Sequence, residues 1–258
     1  MEQGTGNSTT NTFQGTTNET FRFFQHNVRV LLSDSDPNGE LRLDALARFL
    51  HDAATLDIEE SGLHLETIWV LRTTEMTIHE NANYLDNLKV VTWCSGSGKS
   101  WVERRSDIFR NNAKIIETRS IWVNVSGVRQ GAKPLPEEFF STYGESVRQE
   151  KISARQTLKT PLHPPISSTT IQLRFCDLDI MDHVNNAIHL SLVEETLHRE
   201  RQRDYASSYK VKVEFKDAIE LAPKTVVANL WSFNKNKVQI ELVQDTVRSR
   251  TLLEHLTD

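Results

Sequence analysis

The feature that most constrains this chain is an internal repeat. Asp34-x-Asp36 recurs as Asp177-x-Asp179, and the same offset carries Asn38 onto Met181, Glu40 onto His183 and Leu41 onto Val184. It also carries Phe49-Leu50 onto Leu192-Val193. A helical pattern follows each Asp-x-Asp. In the first copy Leu43, Leu46, Phe49, Leu50 and Ala53 share a face, and Gly62 is a plausible stop. In the second, over 183–198, Val184, Ile188 and Leu192 share a face that Leu190, Val193 and Leu197 widen, a stripe suited to deep burial. Chance gives two Asp matches easily, but not the shared helix and strand order too. One α+β unit used twice is the reading, each copy a long helix with its own antiparallel sheet.

Aromatic and β-branched residues alternate with polar ones in strings such as WVERRSDIF and RSIWVNV, as in strands with one buried face. The strands of the first copy fall at 21–32, 69–79, 88–93, 101–110 and 114–125, with turns at Ser95-Gly96-Ser97-Gly98 and Asn111-Asn112. Those of the second fall at 171–176, 209–216, 225–233, 238–244 and 248–255, with a hairpin turn at Asn234-Lys235-Asn236. The division is then a disordered, polar tail over 1–19, a first unit over 20–130, a Pro-rich connector over 131–165 and a second unit over 166–258.

A net charge of −5 over 258 residues argues against general nucleic-acid binding, and no apolar run is long enough to span a bilayer. The tail has neither the apolar core of a signal peptide nor the arginines of a transit peptide, so a cytoplasmic protein is expected. Cys94 and Cys176 lie far apart without metal-ligand spacing, which fits reduced thiols and no metal. Cys176 reads as a small core residue in a buried strand.

The repeat is unequal where chemistry is concerned. Asp177, Asp179, Asp182 and His183 crowd the mouth of the second helix, where Asp182 can cap the free N–H groups. Taken as residue types they suit a turn and cap as well as an acid–base site. Only this copy has a His, so one competent site per chain is expected.

The string D-L-D-x-x-x-H-V-N-N before an apolar helix resembles the hot-dog thioesterases, and within them the acyl-ACP thioesterases (ACP, acyl carrier protein). TWCSGSGKSWVERR at 92–105, SIWVNV at 120–125 and then KPLPEEF resemble the same family in the same order. The resemblance implies an α+β tandem (double) hot-dog fold, each unit a long helix wrapped by an antiparallel sheet. It implies a thioester hydrolase that releases fatty acid from acyl-ACP, ending elongation, without a cofactor. A hot-dog acyl-CoA thioesterase and a non-catalytic acyl binder are the alternatives. Asp179 would orient or deprotonate water and His183 would move a proton. The family's intervening Asn is here Met181, which has no N–H to donate. Asn185, Asn186 or the helix N-terminus would stand in for it. The family's downstream acidic residue falls nearest Ala218; Asp217, one position away, is the candidate for that catalytic role, and Glu214 and Glu220 share the face of Ala218 in a regular strand. Ile219 stands where plant members often have Cys. The partner is an acyl carrier protein bearing acyl-phosphopantetheine, and its acidic surface would meet basic residues such as Arg104, Arg105, Arg110, Lys114 and Arg119, or Arg199, Arg201 and Arg203. A monomer or a homodimer is compatible with the pattern.

Overall fold

A computed structural model describes residues 13–14, 20–65, 67–127, 131–144, 146–200 and 208–256. Most of the expected N-terminal tail, together with Arg201 and Arg203, lies outside them. A two-strand ribbon, β1 (Phe13–Gln14) with β2 (Thr20–Phe21), precedes the main sheet. The first half then runs β3 (Phe23–Arg29), α1 (Leu43–Glu60), β4 (Ile68–Ile78), β5 (Asn87–Ser97), β6 (Trp101–Arg110) and β7 (Ala113–Val125). Two short helices follow, α2 (Glu137–Tyr143) and α3 (Ser146–Gln149). The second half runs β8 (Ser167–Gln172), α4 (Asn186–Arg199), β9 (Tyr209–Phe215), β10 (Thr225–Asn234), β11 (Lys237–Gln244) and β12 (Thr246–His255).

The sheet order is β3-β5-β6-β7-β4-β9-β12-β11-β10-β8, all antiparallel. Each half therefore has the same topology, with its second strand innermost and the helix inserted after its first strand. The sequence pattern implied two separate sheets. They are instead one sheet of ten strands, because the two inner strands pair with each other from Thr73↔Glu214 to Ile78↔Tyr209. That pairing removes two exposed edges, each a row of unsatisfied backbone groups.

Alternation along the strands sets the core. Val211, Val213 and Phe215 of β9 join one apolar cluster with Leu46, Phe49, Leu50 and Ala53 of α1 and Leu190, Val193 and Leu197 of α4. The two helices pack against each other within the curve of the sheet. This is the tandem hot-dog arrangement. Tight turns follow the local chemistry: Asn111 and Asn112 take φ of 50° and 66°, as a two-residue hairpin needs. Ser95-Gly96-Ser97, expected in a turn, instead extends β5 beyond a bulge between Cys94 and Gly96, and the chain reverses only after Ser97.

The segment between the halves is built rather than slack. After α3 it crosses the sheet face opposite the helices, where polar side chains hold its backbone. Glu214 accepts from the N–H groups of Thr157 (2.6 Å) and Leu158 (3.1 Å), and Gln239 donates to the Lys159 carbonyl (2.8 Å). Arg250 donates to Thr160 Oγ1 at 2.8 Å and pairs with Glu241 at 2.6 Å. Glu214 is thus fully buried beneath this strap and faces away from the helices; the regular strand that would have given it the face of Ala218 ends at Phe215.

Candidate active site

The turn that carries Asp179 and His183 is closed by backbone bonds. Asp179 N donates to the His183 carbonyl (3.0 Å), Asp182 N to the Asp179 carbonyl (3.0 Å), and Asn185 N to the Asp177 carbonyl (2.9 Å). Asp177 anchors the preceding turn by accepting from Arg174 N (2.8 Å) and pairing with its guanidinium (2.7 Å). The N-cap of α4 is Asn185, whose Oδ1 accepts from Ala187 N at 2.8 Å. Asp182, expected to cap, sits earlier at φ 59° in the left-handed corner of the turn, because the helix begins three residues later than its apolar pattern. Cys176, expected in a buried strand, is exposed in the turn 175–177. Strand β8 ends before it, at Gln172.

Within this turn Asp179 Oδ1 accepts from Met181 N (2.9 Å) and lies 3.6 Å from His183 Nδ1, with both side chains 21 % exposed. That nitrogen is buried and makes no hydrogen bond among the described residues. Both residues face a cleft of about 730 Å³, together with Met181, Asn185 and Asn186. The opposite wall comes from the first half: His51 of α1, Trp69 to Arg72 of β4, and Trp122 of β7. The sheet explains the opening. β9 ends at Phe215, so residues 68–72 of β4 run past the seam without a strand partner on that side among the described residues, beside a bulge between Leu71 and Thr73.

The expected residues separate into three groups. Asp179, His183, Asn185 and Asn186 converge on the cleft. Asp217 reaches only its rim, 68 % exposed and paired with Arg248 at 2.8 Å, on the loop after β9 rather than on a strand. Glu220, beyond Asp217 on that loop, also lines the cleft. Arg104 is not a surface residue at all. Its side chain, 8 % exposed, meets Asp57 at 2.7 Å, and Asp57 also accepts from Tyr143 (2.7 Å) and pairs with Arg22 (2.9 Å). Alternation along β6 turns Arg104 towards α1 and leaves Arg105 outward, paired with Glu103 at 2.9 Å. A docking role for Arg104 is therefore excluded.

Three contributors were not legible as site residues: His51, Trp69 and Trp122. The signal for His51 was faint, a second stripe on α1 of Ala47, His51 and Ala54 whose small members leave room beside the sheet. His51 stands edge-on to Trp122, ring centroids 5.8 Å apart, and burial pushes its imidazole down to about 4. His189 is packed, its Nδ1 3.0 Å from Ser249 Oγ, and burial together with the nearby His183 lowers it to about 3. Both rings are thus neutral at neutral pH. Burial raises the Cys94 thiol to about 12, which removes it as a nucleophile. Among the described residues no cluster of three or more His, Cys, Asp or Glu side chains is placed to hold a metal ion. None of their helices is long and apolar enough to cross a membrane.

Comparison with known proteins agrees with this geometry. The structure is similar to an acyl-ACP thioesterase from Bacteroides thetaiotaomicron, with TM-score 0.70, 16 % identity and coverage of 90 % of this chain and 97 % of that one. It is similar as well to the 12:0-ACP thioesterase from Umbellularia californica, with TM-score 0.74, 16 % identity and coverage of 90 % and 96 %. These likenesses establish the fold. In sequence it is 22 % identical over 230 residues to the uncharacterized protein Rv2001 of Mycobacterium tuberculosis, covering 88 % of this chain and 90 % of that protein. Residues 22–143 match the acyl-ACP thioesterase N-terminal domain and residues 165–253 the C-terminal domain. With both domains matched in order, the chain belongs to the acyl-ACP thioesterase family, a family of thioester hydrolases.

Proposed function

We infer that this chain hydrolyses the thioester of acyl-ACP at the cleft between its halves, with Asp179 and His183 as the reacting side chains. The observation that carries the reading is their convergence at 3.6 Å on one cleft, in the copy of the turn that has a histidine. The Asp179 carboxylate orients a water and takes its proton as the oxygen attacks the thioester carbon. The tetrahedral oxyanion is met by the backbone N–H of Asn186 at the start of α4, where the helix dipole favours negative charge, and by the side-chain amides of Asn185 and Asn186. Collapse expels the thiolate, which takes its proton from His183 as the proton held by Asp179 passes on to His183, so both side chains return to their starting states. Met181 lines the cleft but donates nothing from its side chain, so the turn and helix carry the oxyanion.

The cleft's mouth gives the carrier its footing. Arg72, Lys216 and Arg248 line it together with Glu220 and with Asp217, which pairs with Arg248 at 2.8 Å, so Arg72 and Lys216 are the cations that would meet an acidic carrier and its phosphopantetheine phosphate. These two replace the buried Arg104 in that role, and Arg105, 41 % exposed, stays a candidate beside them. The test is thiol release from acyl-ACPs and acyl-CoAs of graded length at matched concentration. Faster turnover of acyl-ACP is expected, and equal or better turnover of acyl-CoA overturns the reading. Lys216→Glu should raise KM for acyl-ACP severalfold while changing KM for acyl-pantetheine much less.

A further inference from the structure

The interior beside the cleft contains a hydrogen-bond donor that the protein leaves unused. Trp122 lines the cleft and also two smaller cavities, of about 10 and 70 Å³, between α1 and the sheet. Trp122 is therefore the residue shared by the cleft and both of these cavities. The indole Nε1 is buried and has no acceptor among the described residues. Other indoles of this protein are satisfied. Trp69 donates to Thr67 Oγ1 at 2.8 Å, Trp101 to the Ile152 carbonyl at 2.7 Å, and Trp231 to the His163 carbonyl at 2.8 Å.

The surroundings give Trp122 no substitute. The hydroxyls of Thr74 and Ser120 bond to each other at 3.1 Å, and Ser106 bonds to Thr92 at 2.9 Å. The neighbouring polar ring is His51, which likewise makes no hydrogen bond among the described residues and lines both the cleft and the cavity of about 10 Å³. Two uncommitted polar rings thus stand edge to face, centroids 5.8 Å apart, among Leu50, Leu71 and Phe215. An indole N–H can only donate, so its complement is an oxygen acceptor. A plain alkyl chain threaded past it would leave the donor buried and unmet, the most unfavourable state for such a group.

We propose that the acyl group accepted here carries an oxygen substituent, a hydroxyl or an oxo group, and that Trp122 Nε1–H with the His51 imidazole binds that oxygen. The proposal rests on the thioester-hydrolase reading and narrows its substrate to hydroxyacyl or oxoacyl thioesters. A site built to hydrogen-bond such an oxygen also disfavours the chain that lacks it.

The experiment measures binding apart from turnover. Acyl-pantetheine analogues with an amide in place of the thioester, equal in length, carry no oxygen or a hydroxyl or oxo group moved along the chain. Binding is measured by calorimetry to the wild-type protein, to Trp122→Phe, and to protein in which residue 122 is the benzothienyl isostere of tryptophan, which keeps the shape and lacks the N–H. The expected result is that an oxygenated analogue binds the wild type at least tenfold more tightly than the plain chain, and that the isostere reduces the difference to within twofold. The hydroxyl and oxo arms then tell which oxygen is preferred. Plain chains binding as well as every oxygenated one would overturn the proposal. So would an isostere that weakens all analogues equally, since the N–H would then serve the carbonyl common to every acyl group. Failure of the hydrolase reading shows separately, as no thiol release from any acyl thioester while the binding preference stands.

Discussion

The chain builds one turn twice and opens only one of them to a cleft. In the first half Asp34 accepts from Leu31 N at 3.0 Å and Asp36 from Asn38 N at 2.8 Å; in the second, Asp177 accepts from Arg174 N at 2.8 Å and Asp179 from Met181 N at 2.9 Å. Asp36 N donates to the Glu40 carbonyl as Asp179 N does to that of His183. Gly39 and Asp182 occupy the same left-handed corner at φ 83° and 59°. The aspartates are thus turn-forming residues in both copies, and chemistry is an addition to one. What differs lies around them. In the first copy Arg42 and Arg48 converge on the buried Asp44 at 2.7 and 2.9 Å, Arg48 also reaches Asp34, and Glu40 is held by Asn81. At the corresponding places the second copy has Asn185, Ser191 and Ala187, with His183 for Glu40. Charges seal the first helix start; small or neutral side chains leave the second accessible.

The sharpest way to break this comparison is to change both turns alike. Asp179→Asn and His183→Ala should each lower kcat about 10²-fold or more, the scale of a positioned acid or base. Asp36→Asn should leave kcat within about twofold, since the amide oxygen still serves the turn. Equal losses at Asp36 and Asp179 would reduce both aspartates to scaffolding. Asp44→Ala comes next. It strands two arginines at the sealed turn and should cost roughly 2 kcal/mol in denaturant unfolding, the scale of hydrogen bonds to charged groups, with kcat unchanged.

Exchanging side chains between the turns sharpens the contrast further. Met181→Asn places in the open turn the residue that the first copy carries at Asn38. It adds a donor facing the cleft and should raise kcat by roughly tenfold, less than the 10²–10³ of an optimised oxyanion donor. An unchanged kcat would show that the start of α4 already meets the oxyanion in full. The smallest effect belongs to Asp182→Gly, which copies Gly39. Relief of a left-handed non-glycine residue should raise stability by under about 1 kcal/mol, read as a small rise in Tm without loss of activity.

Local pattern and tertiary packing contributed differently to these features. The apolar stripe of α1, the alternation along β6 and β7 and the Asn111-Asn112 hairpin all depend on neighbours within a few residues, and the sequence alone determined them. It also determined the repeat, and with it the pairing of Asp179 with His183, because one short turn holds both. Packing decided the rest. Whether Arg104 faces a partner or Asp57 depends on which side of β6 the helix covers. The edge-to-edge joining of two expected sheets into one depends on β4 meeting β9, strands far apart in the chain. His51 and Trp122 come to face the Asp179 turn only because the two halves share a cleft. Periodicity records which face of an element is apolar, whereas a site assembled from two halves depends on how those faces meet in space.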